Sequence, residues 1–158
     1  MSIKLVILIP EILQQIYLGV LMMASIEELR NQYTELHEDM DIKSEDAIEA
    51  NHLLAFDYEY QGSNTEIHIQ TEEFVAVCPW TGLPDFGELS VNYVPRKLCI
   101  ELKSLKYYLL SYKDVGIVQE HAANRIMKDL VEACEPISMK IDLNYNARGG
   151  IQTTVTVN

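Results

Sequence analysis

Basic residues are scarce in this 158-residue chain: 12 Lys and Arg stand against 24 Asp and Glu, for a formal net charge of -12. Such an acidic surface repels phosphate backbones at long range, which argues against a protein that must hold a whole tRNA. Cysteine is sparse too. Cys78, Cys99 and Cys134 form no C-x-x-C pair and leave one over in any intramolecular pairing, as expected of reduced thiols in the cytoplasm. No Cys/His cluster has metal-ligand spacing, so no metal is expected. The absence of G-x-G-x-x-G after a strand excludes a dinucleotide held by a Rossmann crossover. Long apolar runs are missing as well: Leu5 to Ile9 follow Lys4 like the start of a secretory signal, but Pro10, Glu11, Gln14 and Gln15 break the run before it can span a bilayer.

The apolar content of 48% suffices for one modest core. We expect an N-terminal extension and acidic arm over residues 1–50 and one domain over 51–158. Met1 to about Met22 reads as an extended or mis-assigned terminus, with Met22 or Met23 the natural alternative start. Ser25 to Ala50 is rich in Glu and Asp and reads as a solvated helix-loop arm. Leu53 to Tyr60 and Thr65 to Val77, around the turn Gln61-Gly62-Ser63-Asn64, predict an early hairpin. Gly87 to Tyr93 alternates again, and strand character continues through Lys97 to Glu101. A short helix follows from Ser104 to Ser111. A longer one runs from about Val118 to Cys134, where Val118, Ala122, Ile126, Leu130 and Cys134 recur every four residues. Pro136 closes it. Met139 to Tyr145 and Ile151 to Val157 are the last strands, joined at Asn146-Ala147-Arg148-Gly149-Gly150. This order implies an α+β layer: an antiparallel sheet with two helices on one face.

The chemistry concentrates at Cys78. The apolar run Phe74-Val75-Ala76-Val77 delivers it into Pro79-Trp80-Thr81-Gly82-Leu83-Pro84-Asp85-Phe86, a stiff segment that returns Asp85 towards the sulfur. A thiol attacks an electrophilic carbon, and an acid held beside it protonates the atom that gains negative charge. A lone strand cysteine is more often a buried core residue, and Asp85 alone reads as a turn carboxylate. Their joint context in C-P-x-T-G-x-P-D-F favours the nucleophile and its acid. Lys103 and Lys106, three apart at the start of the short helix, read equally as a phosphate site or as a solvated helix side. Glu120, at the start of the long helix, suits either the helix dipole or a ligand with adjacent N–H donors.

Together with Glu101-Leu102-Lys103-Ser104-Leu105-Lys106-Tyr107-Tyr108, Gln119 to Ile126 and Asn146 to Ile151, the Cys78 segment resembles the nitrile reductases that convert 7-cyano-7-deazaguanine to 7-aminomethyl-7-deazaguanine in queuosine biosynthesis. The likeness runs from about Asn51 to Val157. It implies a tunnelling fold whose subunits join sheet edge to sheet edge in a ring, with decamers of two stacked pentamers among the family's short members. It also implies a small 7-deazaguanine substrate, NADPH as cofactor, and neither direct nucleic-acid binding nor a membrane. Cys78 would form a covalent thioimide with the nitrile carbon, and Asp85 would protonate the nitrile nitrogen. Glu120, with Gln119 and His121, would bind substrate. Glu101, Lys103, Ser104, Lys106 and Arg148 would bind cofactor. The chain departs from the family's usual His-Glu pair: Gln119 precedes Glu120 and His121 follows it, about 100 degrees further round a helix.

Three other readings share the architecture. An amidinotransferase acting on the same nitrile within tRNA would lack the E-x-K-x-x-K segment present here. A zinc-dependent pterin cyclohydrolase would need a Cys/His ligand cluster. A catalytically silent ring protein that binds pterin or purine would have an incomplete cofactor site.

Overall fold

The alternating apolar residues of four segments build one antiparallel sheet in the computed structural model, which describes residues 25–38 and 40–158. Strands β2 (Ile67–Val77), β3 (Pro84–Val94), β5 (Ser138–Arg148) and β6 (Ile151–Val157) lie in the order β2-β3-β5-β6. Two short strands, β1 (Ala55–Asp57) and β4 (Leu98–Ile100), make a separate pair. The helices are α1 (Ile26–Glu38), α2 (Leu102–Leu110) and α3 (Gln119–Cys134). Asp41–Asn158 is one compact unit, and the segment ending at Met40 is another. Among the described residues no helix is long and apolar enough to cross a membrane.

The α+β layer follows from which sheet face is apolar. Phe74, Ala76, Leu89, Val91, Tyr93, Ile141, Leu143 and Tyr145 are buried in one cluster with the helix residues Leu105, Tyr108, Ala122, Ile126 and Leu130. Ile126 and Leu130 are fully buried, each stabilising the helix-on-sheet contact by roughly 1.5–3 kcal/mol. The opposite face is polar: His68 meets Asn92, Gln70 donates to Glu88, and Asn144 accepts from Gln152 and Thr154. Between the helices, buried Asp129 accepts from the Tyr108 hydroxyl and the Arg125 guanidinium, both at 2.8 Å, so its charge is compensated. Glu135, in the left-handed region at φ 43°, ends α3 just before Pro136.

Two expectations are corrected. The predicted hairpin of Leu53–Tyr60 with Thr65–Val77 does not form, because β1 pairs with β4 in the register Ala55↔Ile100. The backbone groups of that segment are satisfied there: Glu101 N–H donates to Leu54 O at 2.9 Å, and Tyr58 N–H to Lys97 O at 2.8 Å. The solvated arm ends earlier than Ala50. Lys43 bridges Val115 in parallel and Ile48 is buried in the core, because Ala47 and Ile48 supply apolar surface within the acidic run.

Candidate active site

A β-bulge determines which way the thiol faces. Opposite the β3 pair Leu89 and Gly87, β2 advances from Thr71 to Phe74, three positions against two, and the Thr71 hydroxyl accepts the Glu73 N–H at 3.1 Å. The extra residue shifts the alternation, so Phe74 and Ala76 share the covered face with Ile67 and Ile69, and Cys78 is next in that series. The following turn is tight. Cys78 N–H donates to Leu83 O at 2.9 Å, Gly82 N–H donates back to Cys78 O at 2.8 Å, and Gly82 takes φ +64°. Asp85 therefore arrives on β3 itself, opposite Ala76, and is buried. Strand register returns it to the thiol, where the sequence suggested a loop.

A second bulge brings in Arg148. From Tyr145 to Arg148, β5 advances three positions while β6 moves two, from Thr153 to Ile151. Gly149 and Gly150, both at positive φ, form the two-residue turn. Arg148 then lies on the face of Tyr145, and its guanidinium donates to the Asp85 carboxylate at 2.5 Å. The Arg148 side chain reaches this partner beside Cys78, away from the α2 segment with which the sequence grouped it.

The third wall comes from the start of α3. Ile117 N–H donates to Val77 O at 3.2 Å and Val77 N–H to Val115 O at 3.0 Å, so the end of β2 fixes the loop entering that helix. Gly116 permits the approach: a Cβ there would meet Ile42 Cγ2 at 2.5 Å and Pro79 Cα at 3.4 Å. Cys78, Pro79, Trp80, Asp85, Ile117, Val118, Gln119, Glu120 and Arg148 line a cavity of ≈ 280 Å³. Burial pushes the Cys78 thiol up. Hydrogen bonds from the Thr81 hydroxyl and the Trp80 and Thr81 backbone outweigh it and hold the thiol below its ordinary range, against an upward pull from the Asp85 charge. Cys134 is raised to about 11 by burial, which separates the two thiols chemically.

Not every expected residue joins the cavity. His121 is exposed, its Nδ1 3.7 Å from the Glu45 carboxylate, and does not line it. Glu101 caps α2, its carboxylate accepting from Lys103 N–H at 2.9 Å and Ser104 N–H at 2.7 Å, and these bonds hold its pKa below the usual range. The Ser104 hydroxyl accepts from Leu54 N–H and donates to Glu101 O. Lys103 borders a groove of ≈ 480 Å³ with His52, Leu54, Glu101, Ser104 and Tyr107. Lys106 borders a different groove and pairs with Glu73 at 3.1 Å. Sequence reasoning missed His52 at the first groove and Thr81 at the thiol. Thr81 was legible as a hydroxyl three residues past Cys78, whereas His52 had no local signal.

Among the described residues no group of three or more His, Cys, Asp or Glu is placed to hold a metal ion. The family model for QueF-like protein matches residues 84–158. An NADPH-dependent 7-cyano-7-deazaguanine reductase of Caldicellulosiruptor bescii is 51% identical over 115 residues, spanning 73% of this chain and 88% of that protein. This chain belongs to the NADPH-dependent 7-cyano-7-deazaguanine reductase family. The family's protein of the same name from Chlorobaculum tepidum is 56% identical over 105 residues, 66% of this chain and 90% of that one. A solved archaeosine synthase QueF-Like in the apo form superposes on this reductase-family chain with a TM-score of 0.56 at 24% identity. The match covers 60% of this chain and 93% of that structure, a likeness of fold. The mixed antiparallel architecture is that of the tunnelling fold.

Proposed function

We propose that the cavity at Cys78 is where the nitrile of 7-cyano-7-deazaguanine is reduced. The overall reaction, NADPH-dependent reduction of that nitrile to the aminomethyl group in queuosine biosynthesis, is the family's. The covalent route is our reading of the site. The Cys78 thiol passes its proton to the Asp85 carboxylate and the thiolate adds to the nitrile carbon, forming the C–S bond as one C–N π bond breaks; Asp85 then hands that proton to the nitrogen, leaving a thioimide. Two hydrides and further protons complete the change to the amine, with the C–S bond broken and Cys78 restored. The supporting observation is a thiol held below its ordinary pKa in the same cavity as a buried carboxylate.

The start of α2 fits a phosphorylated nucleotide, since Lys103 stands beside the exposed Tyr107 ring and the apolar Leu54 in one groove. Lys103 and Lys106 would meet cofactor phosphates. Glu101 and Ser104 shape the helix start that presents them, and Arg148 adds a cation at the cavity rim. When bound, NADPH supplies the two hydrides, one from each of two molecules. Glu120 offers a carboxylate to the N–H groups of the substrate, and Gln119 lies beside it. His121, the third residue of the substrate-binding set read from the sequence, lies outside this cavity and has no part in the proposed binding.

Strands β2 and β6 are the sheet's outer strands among the described residues. Open edges invite pairing, and we read these as joining copies into a ring, two pentamers stacking into a decamer. We further propose a cytoplasmic enzyme that acts on the free base without binding nucleic acid.

Intact-mass spectrometry after mixing protein with the nitrile, without NADPH, tests the covalent step. An adduct is expected in the wild type and in Cys99→Ala and Cys134→Ala, and not in Cys78→Ala. Full reductase activity in Cys78→Ala would sink the mechanism.

A further inference from the structure

We infer that Tyr145 positions the acid: its hydroxyl donates a hydrogen bond to the Asp85 carboxyl group while Asp85 holds the proton taken from Cys78. This rests on the cavity at Cys78 being the nitrile site. Among the described residues, the Tyr145 hydroxyl is the one fully buried side-chain oxygen or nitrogen without a hydrogen-bond partner. Other buried tyrosines differ. The Tyr108 and Tyr112 hydroxyls bond to each other at 2.7 Å, Tyr108 also donates to Asp129, and the Tyr93 hydroxyl accepts the Ile100 N–H at 3.1 Å. Tyr145 is 2% exposed, and an orphaned hydroxyl at that depth costs stability that a phenylalanine there would not.

Strand register puts the acid within its reach. Phe74 and Tyr145 flank Gly87 in one row across the sheet, and their rings meet edge to face at 6.1 Å, which fixes the direction of the phenol. Asp85 lies two residues from Gly87 on the same face, so it is the diagonal neighbour of Tyr145, about 7–8 Å away along the backbone, a span that an aromatic side chain covers. The hydroxyl feels the groups of this site: burial raises its pKa, the Asp85 charge raises it, the Arg148 charge lowers it, and Tyr112 and Glu120 raise it further. It therefore stays protonated and able to donate. Tyr145 does not line the cavity, so it acts on Asp85 from behind and does not touch the substrate.

Two partners suit the two states of the carboxyl group. Arg148 donates to one Asp85 oxygen, a hold that is strong while Asp85 is charged. Once Asp85 takes the thiol's proton the charge–charge attraction to the guanidinium is gone, whereas a neutral phenol still donates to a neutral carboxyl group. The hydroxyl then keeps Asp85 aimed as its proton passes to the nitrile nitrogen. No proton leaves Tyr145.

The test uses the full chain and compares Tyr145→Phe, which removes the oxygen alone, with Tyr112→Phe, which removes a partnered hydroxyl from the same core cluster. Three quantities are measured: thioimide formation without NADPH, by intact mass against time and nitrile concentration; Cys78 alkylation by iodoacetamide; and Tm by calorimetry. Iodide leaves without taking a proton, so alkylation reads the nucleophile and not the acid. Tyr145→Phe should form the adduct about tenfold more slowly at saturation, the worth of one hydrogen bond. Its half-saturating nitrile concentration should stay within about twofold, its alkylation should be unchanged, and its Tm should equal or exceed that of wild type. Tyr112→Phe should lower Tm and keep the adduct rate. An unchanged adduct rate in Tyr145→Phe, or a slower one matched by slower alkylation or a lower Tm, overturns the inference and leaves the Cys78 reading standing. A wild type that forms no adduct overturns both.

Discussion

Gly87→Ala probes whether strand register places the acid. Gly87 lies between Asp85 and Leu89 on β3 and pairs with Tyr145. A Cβ there would meet Asn144 O at 3.0 Å and Tyr145 Cα at 3.4 Å. Both are backbone atoms of a paired strand and have no rotamer to adopt, so β3 and β5 must part by a few tenths of an ångström. Overpacking of this kind costs roughly 1–3 kcal/mol, and lower unfolded-state entropy for Ala offsets about 0.4–1 kcal/mol of it. The net loss is about 1–2 kcal/mol, a fall in Tm of roughly 4–10 °C for a unit of this size. The parting occurs where Arg148 on one strand holds Asp85 on the other, so thioimide formation should slow about tenfold. Differential scanning calorimetry and single-turnover adduct formation measure the two effects. Gly62→Ala, in open space at φ +80°, should lose stability through backbone strain but keep the adduct rate. If Gly87→Ala loses stability with an unchanged adduct rate, the β3–β5 ladder does not position the acid.

Thr81→Val removes a hydroxyl that lowers the Cys78 pKa, so the pH profile of Cys78 alkylation by iodoacetamide should move up; Asp85→Asn removes a charge that raises it and should move the profile down. Like shifts in both variants would refute the assignment of causes. Because the folded pKa of Glu101 is depressed, its cap stabilises above the unfolded value and that stability is lost as pH falls through the folded one; Glu101→Gln should flatten the acid limb of a Tm-versus-pH curve. Lys103→Ala with Lys106→Ala should raise the KM for NADPH severalfold and leave thioimide formation intact, and equal use of NADH by the wild type would misplace the phosphate site. A chain starting at Met23 should remain an active oligomer by light scattering and NADPH oxidation; residues 1–22 lie outside the described residues, and a monomeric or inactive product would give them a structural role.

Some of this protein was readable from local chemistry alone. The four-residue recurrence from Val118 to Cys134 forces a helix with one apolar face, and that face lies on the sheet. The C-P-x-T-G-x-P-D-F run carries its own turn chemistry, since Gly82 supplies a positive φ and Pro84 opens the return strand. Those signals act over a few residues and need no partner. Other features required the partner strand. Alternation from Ile67 and Ile69 would place Val77 on the covered face and turn Cys78 away, and only the unequal advance of β2 against β3 reverses that. Arg148 reads as a hairpin residue until the β5 bulge turns it onto Asp85. Glu101 reads as part of a cofactor motif until Lys103 and Ser104 N–H groups claim its carboxylate. Tertiary structure decided each of these because a bulge, an ion pair or a cap is a relation between two backbone segments, and the spacing along one segment does not contain it.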